Sequence, residues 1–249
     1  MKFFVISDVH SCFTPMIEAL GNAGFDKTNP DHTLIVCGDS FDRGVQAVEV
    51  LEYLDSVEQK VLIKGNHDDL LMELLNGRMP KPADMHNGTT ETIFQLGYKA
   101  GISAFSDHCK EAYKKFAPLY NQMVNYFETE KYIFVHSWIP TKEQPYNAHF
   151  PDLAEMAFDP NWRNADEDSW KAARWVNPYL FASAGLKPDK TVVFGHWHTS
   201  WPRARLEDGY EYGIKADFSI YYGDGYIGLD AMTAYSKKVN VLVVDDLLI

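Results

Sequence analysis

Basic residues, cysteines and long apolar runs are all scarce in this chain. Lys and Arg number 23 against 35 Asp and Glu, a formal net charge of −12. A broad grip on nucleic acid works by setting basic side chains against phosphates and releasing counterions, so this balance argues against such a partner. It leaves open one phosphate held at a metal cluster, whose own charge dominates its surroundings. The three cysteines, Cys12, Cys37 and Cys109, are odd in number, widely spaced and lack a Cys-x-x-Cys pair. That argues against a disulfide framework and for reduced thiols in a cytoplasmic setting. No stretch approaches the roughly 20 apolar residues of a membrane-spanning helix. A signal peptide is not expected, because a strand already opens at Lys2. There is also no internal repeat, low-complexity tract or linker.

Hydrophobic residues make up 46% of the 249 positions, enough for a substantial core. Lys2–Ser7 reads as a buried strand, Thr14-Pro15 opens a helix running to Leu20, and Thr33–Cys37 is a second strand. Apolar residues fall near helical spacing from Val45 to Leu54. Lys60–Ile63 is a third strand, followed by a short helix carrying Leu70, Leu71, Leu74 and Leu75. Alternating strands and helices predict parallel crossover units, whose sites lie beyond the carboxyl ends of the strands. From Gly77 to Glu130, Pro80 and Pro82 break the chain, and helices are expected around Thr90–Leu96 and Asp107–Phe127. This stretch reads as an insertion packed over the site within a single domain, 1–249. Lys131–Val135 and Thr191–Phe194 resume the sheet. Thr141–Lys190 has one helical stretch, around Ser169–Val176. A hairpin at Gly223-Asp224-Gly225 and strands Tyr226–Leu229 and Val239–Val244 close the chain.

Polar clusters follow five of these strands: Asp8-Val9-His10, Gly38-Asp39-Ser40-Phe41-Asp42-Arg43-Gly44, Gly65-Asn66-His67-Asp68, Val135-His136-Ser137 and Gly195-His196-Trp197-His198. Alone, Asp8 and His10 would read as a loop-capping pair, Asp42 and Arg43 as a surface ion pair and His136 as a satisfied core histidine. In series they supply carboxylate, imidazole and amide donors for two metal ions. Asp39 is placed to bridge, Asn66 offers a neutral oxygen, and His136, His196 and His198 complete the ligand set. Such donors suit Mn²⁺, Fe or Zn²⁺ rather than a soft thiolate metal. Two ions about 3.5–4 Å apart bind a shared hydroxide and clamp an in-line displacement at phosphorus. His67 is suited to protonate the leaving group, Asp42 to orient that imidazole, and Arg43 to fork onto phosphate.

These motifs resemble the signature of the calcineurin-like metallophosphoesterases. The Asp42-Arg43-Gly44 extension is more similar to the PPP-type serine/threonine phosphatase branch and its bacterial and phage relatives. The resemblance implies a four-layer α/β/β/α sandwich, with Asp8 and His10 on a first metal, Asp39 bridging, and Asn66, His136 and His196 on a second. It further implies that His67 and Asp42 form an acid pair, that Arg43 and Asn66 contact phosphate, and that another phosphate-binding arginine follows. Arg174 is the candidate for that arginine, with Arg163 behind it. Asp68 stands where many members carry Glu. His198 belongs to the ending of the wider superfamily and is assigned as an extra ligand of the first metal.

The expected activity is a dimetal phosphomonoesterase acting on phosphorylated protein or a small phosphoester, with Mn²⁺ first among the metals. Hydrolysis of dinucleoside polyphosphates is the alternative, hinted at by aromatic residues near His196. A nuclease fits poorly with the acidic balance, and a non-catalytic scaffold would be expected to have lost ligands that are all present here. Trp138, Trp175, Trp197 and Trp201 read first as packing and second as a substrate wall. His32, His86, His108 and His149 lack ligand spacing and read as surface residues. Asp230 follows a strand, and the sequence leaves its relation to the site open.

Overall fold

Along Lys2–Ile6 (β1), Phe3 and Val5 enter one core while Phe4 and Ile6 enter another. That is the period of two expected when a strand is buried on both faces. The structure, a computed structural model, describes residues 1–143, 147, 152–153 and 156–247. His149 lies outside the described residues.

The first half runs β1, α1 (Phe13–Asn22), β2 (His32–Cys37), α2 (Ala47–Ser56), β3 (Lys60–Ile63), α3 (Asn66–Leu75), α4 (Pro82–His86), α5 (Thr89–Leu96) and α6 (Phe105–Tyr120). The second half runs β4 (Phe127–Glu128), β5 (Tyr132–Phe134), α7 (Glu167–Ala173), α8 (Pro178–Ser183), β6 (Thr191–Phe194), α9 (Ser200–Leu206), β7 (Tyr221–Gly223), β8 (Tyr226–Gly228), α10 (Thr233–Ser236) and β9 (Leu242–Asp245).

One sheet has the order β3-β2-β1-β9 and the other β4-β5-β6-β8-β7. β1, β2 and β3 are mutually parallel, as are β5, β6 and β8, while β9, β4 and β7 add antiparallel edges. Phe3, Val5, Ile35 and Ile63 of the first sheet meet Phe134, Val193 and Ile227 of the second in a central core. Outside the first sheet, Phe4, Leu34 and Val36 pack with Met16, Val50, Leu71, Ile93 and Phe116 from five helices. Outside the second, Ile133, Val192 and Phe194 pack with Trp170, Tyr179 and Trp201. Three cores between two sheets and two helical faces make the four-layer sandwich. Truncating fully buried Phe134 to Ala would cost about 3–5 kcal/mol, because the cavity opens where the two sheets meet.

The layering brings the carboxyl ends of six parallel strands to one edge. Asp8, Asp39, His136, His196 and Asp230 each stand two residues past the end of β1, β2, β5, β6 and β8, and Asn66 stands three past β3.

Several local expectations are corrected by long-range contacts. The helix expected over Asp107–Phe127 ends at Tyr120, because Val124 is drawn out to bridge Ile63 at the first sheet's edge and Phe127 pairs with β5. The helical insertion does not simply cover the site: α5 and α6 build the outer core of the first sheet, and only the residues leading into and along α5 approach the polar clusters. A second helix, α8, follows the one expected near Ser169, with Asn177 capping it through the Tyr179 N–H and Pro178 at its first position. His108 is buried rather than on the surface, its Nδ1 on the Gly97 carbonyl at 3.0 Å.

Candidate active site

His136 Nδ1 lies 2.9 Å from the Cys37 carbonyl and His10 Nδ1 2.9 Å from the Phe41 carbonyl. A carbonyl only accepts, so each Nδ1 carries the proton and each Nε2 presents a lone pair to the cavity. His136 Nε2 faces two acceptors, Asn66 Oδ1 at 2.8 Å and Asp39 Oδ1 at 3.4 Å, with His196 Nδ1 beside them at 3.2 Å. His10 Nε2 faces Asp39 Oδ2 at 3.8 Å. Two groups of donors within 4.8 Å of one another result, His10–Asp39–His67 and Asp39–His136–His196, with Asp39 common to both. Lone pairs converging on lone pairs are favourable only around a cation. The oxygen and imidazole donors therefore fit two divalent ions of the Mn²⁺, Fe or Zn²⁺ kind.

The electrostatics agree. Burial, then the neighbouring His67, takes His10 down to about 3, and burial likewise lowers His136 and His196. These rings are neutral, as metal ligands must be. Burial pushes the Asp39 carboxyl up, but His136, His67 and His10 take up protons before it as pH falls and so hold the group below the usual carboxylate range. Asp8 is driven well up by burial and by Asp230 and Asp39, as happens when buried carboxylates crowd without a counter-charge. Both Asp8 oxygens accept the His196 N–H, at 3.1 and 3.0 Å, tying the end of β1 to the end of β6. This approach requires glycine at 195, where a Cβ would lie 1.9 Å from Asp8 Oδ2. Asp68 Oδ2 accepts the N–H groups of Asp39 and Gly65 at 3.1 and 2.8 Å, so the shorter acid still braces Asp39.

His67 Nδ1 lies 2.8 Å from Asp42 Oδ2, and Arg43 Nη2 lies 3.4 Å from Nε2. Burial disfavours the charged ring, but Asp39 and the hydrogen bond to Asp42 overcome it and raise the His67 pKa above its ordinary value. Asp39 Oδ1 accepts the His67 N–H at 3.0 Å, tying the His67–Asp42 pair to Asp39. The turns that carry these groups are strained. Asp8, His10, Ser11, Asp39, Asp42, Arg43 and His196 all have positive φ, each costing of order 1–3 kcal/mol that the surrounding packing must hold.

A cavity of about 280 Å³ opens onto Asp39, Arg43, Asn66 and His67, walled by Trp175 and Trp197. A larger groove of about 790 Å³ between the end of α3 and the start of α6 carries none of these residues, so chemistry rather than volume locates the site. Trp138 and Trp201 are packing residues of the second sheet's outer core. His198 lines the cavity rim but is not brought into either donor group: Nδ1 meets Ser200 Oγ at 2.8 Å and Nε2 lies 3.8 Å from Glu211. Arg174 is buried and committed to Asp69 at 2.6 Å, Glu167 at 2.9 Å and Asn125. Arg163 is on the surface, paired with Glu128.

Four cavity residues were missed or left open by sequence reasoning. Asp230 lines the cavity and is raised to about 7 by burial. Its signal was its position, the same offset past an apolar strand as Asp8 and Asp39. Asn87, Met232 (in the left-handed region) and Ala234 line the same cavity. None of the three had a signal in spacing.

The profile of the calcineurin-like phosphoesterase family matches residues 1–217. A symmetrical bis(5'-nucleosyl)-tetraphosphatase of Coxiella burnetii is 28% identical over 137 residues, covering 55% of this chain and 42% of that protein. The asymmetrical bis(5'-nucleosyl)-tetraphosphatase PrpE of Bacillus velezensis is 30% identical over 105 residues, covering 39% of this chain and 41% of that one. The chain thus matches less than half the length of these curated relatives. Among solved structures, a provisionally assigned diadenosine tetraphosphatase superposes with a TM-score of 0.53 at 15% identity, over 97% of this chain and 88% of that one. The cold-active protein-tyrosine phosphatase of a psychrophilic Shewanella does so with a TM-score of 0.53 at 14% identity, over 98% and 75%. Among the described residues no helix is long and apolar enough to cross a membrane. Two donor groups sharing Asp39, set at the strand ends of a four-layer sandwich and matched by that profile, mark the chain as a member of the calcineurin-like phosphoesterase family.

Proposed function

We propose that the chain is a metal-dependent phosphoric ester hydrolase, a phosphomonoesterase of the serine/threonine-phosphatase type. The observation that carries the proposal is Asp39 shared between two groups of possible metal donors, with His67 of the first group also paired to Asp42 at 2.8 Å. Asp8, which lies outside both donor groups and accepts the His196 N–H, would join His10 and Asp39 on one divalent ion, and Asp39, Asn66, His136 and His196 would hold the other, Mn²⁺ first among the metals. His198 is the outermost candidate for the first ion. When bound, the pair of ions draws charge from the phosphoryl oxygens and lowers the pKa of an attacking water.

The protein's own groups do the rest. Arg43 reaches into the cavity from an exposed position and offers a planar fork to two phosphoryl oxygens. Asn66 offers its amide beside it. His67 holds a proton at Nε2, with Asp42 on Nδ1 favouring the charged ring, and delivers it to the departing oxygen. Arg174, held by Asp69 and Glu167, would act on phosphate only by releasing one of them.

A second reading is hydrolysis of dinucleoside polyphosphates. It is favoured by Trp175 and Trp197 in the cavity wall, which offer faces to a base, and by the printed activities of the Coxiella and Bacillus relatives. Rates on a phosphoserine peptide and on diadenosine tetraphosphate, measured with Mn²⁺, separate the two. Faster turnover of the peptide supports the first reading. Turnover of the dinucleotide alone replaces it with the second.

A further inference from the structure

The residues entering α5 form a clamp on the Asp42–Arg43 turn. Thr89 Oγ1 donates to Asp42 Oδ2 at 2.5 Å, the same oxygen that meets His67 Nδ1. The Asp42 N–H in turn donates to Thr92 Oγ1 at 3.1 Å. Thr89 and Thr92 are one turn apart on the same helix face, and both are fully buried. The Arg43 N–H donates to the Asn87 carbonyl at 3.0 Å. Between them stands Gly88 at φ 81°, where a Cβ would lie 2.6 Å from the Arg43 nitrogen, so the two turns touch backbone to backbone.

This is not how a threonine at a helix start ordinarily uses its hydroxyl. Near such ends it commonly turns to its own helix's backbone, which lacks partners there. Thr89 instead reaches a carboxylate 47 residues away in sequence. Asp42 is fully buried, and among the described residues its Oδ1 has no partner. Its carboxylate is therefore oriented from two sides only, by His67 and by Thr89. Remove the hydroxyl and the carboxylate is free to turn its unpartnered oxygen, and the imidazole it aims loses its fixed direction.

We propose that Thr89, with the Asn87-Gly88 turn before it, is a positioning residue for catalysis: it fixes the Asp42 carboxylate so that His67 is aimed at the leaving-group oxygen. The helical insertion is thereby part of the catalytic apparatus and not only a cover for the first sheet. The inference rests on the reading of His67 as the acid.

The test compares phenyl phosphate, whose leaving group needs a proton, with p-nitrophenyl phosphate, whose leaving group departs as the anion. The Mn²⁺-loaded protein is assayed as wild type, Thr89→Val, Thr89→Ser and His67→Asn. Taking the ratio of kcat on the two substrates cancels any difference in folded fraction. Thr89→Val should lower kcat on phenyl phosphate by roughly tenfold or more, several-fold beyond its effect on p-nitrophenyl phosphate, with KM within about twofold. Thr89→Ser, which keeps the hydroxyl, should restore the ratio. If Thr89→Val leaves the ratio at the wild-type value while His67→Asn shifts it, the clamp is only structural and the inference falls alone. If His67→Asn does not shift it either, the acid assignment fails and the inference goes with it.

Discussion

His136 Nε2 and Asn66 Oδ1 lie 2.8 Å apart, and neither has a proton to give the other, because the imidazole proton is on Nδ1 and directed at the Cys37 carbonyl. Such a contact between two lone pairs is repulsive until a cation stands between or beside them. Metal binding should therefore stabilise the fold. At a free metal concentration 100 times Kd the gain is about 2.7 kcal/mol, a rise in Tm of roughly 5–10 °C for a chain of this size. Thermal melts of chelator-treated protein with and without Mn²⁺ check this. An unchanged Tm would contradict it.

Asp39 is the only residue in both donor groups. Asp39→Asn removes one of the two carboxylates proposed for the first ion and the one carboxylate proposed for the second, and should cost more than the 10–100-fold typical of residues that merely support a ligand. The variant should also retain less metal per chain by elemental analysis, whereas a purely catalytic residue would leave metal content unchanged.

His67→Asn should lower kcat by about 10²–10⁴, the usual contribution of a positioned acid. The active form is the protonated ring, so wild-type kcat should fall as pH rises through a pKa above the ordinary 6.5. That alkaline limb should be missing from the variant's pH profile.

Without metal, the protein should lose stability as pH rises from 6.5 to 8. Asp68, raised by burial to about 8, and Asp230, raised to about 7, keep their protons in the fold after the unfolded chain has lost them. Their contribution is complete at low pH and disappears as pH climbs through those values. The depressed rings of His10, His136 and His196 contribute with the opposite sign, and because the unfolded imidazole titrates at 6.5 they offset part of the loss at the lower edge of this window. A loss of about 1–2 kcal/mol is expected across the window. Melts at pH 6.5 and 8 measure it, and added Mn²⁺ should flatten the slope, because a cation reverses the crowding of Asp8 with Asp230.

What could be read from the sequence was what repeats along the chain. Asp8, Asp39, His136 and His196 each close an apolar strand, so their gathering at one edge follows from the parallel topology. Asp230 obeyed the same rule, but its strand ends in Gly228 inside a hairpin and its cluster holds no second ligand type. Thr89 was beyond reach because its partner Asp42 is fixed by how α5 packs on α2 and α3, a relationship with no local signature. Arg174 showed the limit differently: its place on the helix end could be anticipated, but its pairing with Asp69 of α3 depends on how two layers meet. The end of α6 was lost to the same cause, since the pairing of Val124 with Ile63 outweighs the helical preference of the residues before it.

The most direct test of the account is release of inorganic phosphate from a phosphomonoester by chelator-treated protein, titrated with Mn²⁺. The account predicts no turnover without metal and recovery as the sites around Asp39 fill. Undiminished turnover after thorough removal of divalent metal would contradict it.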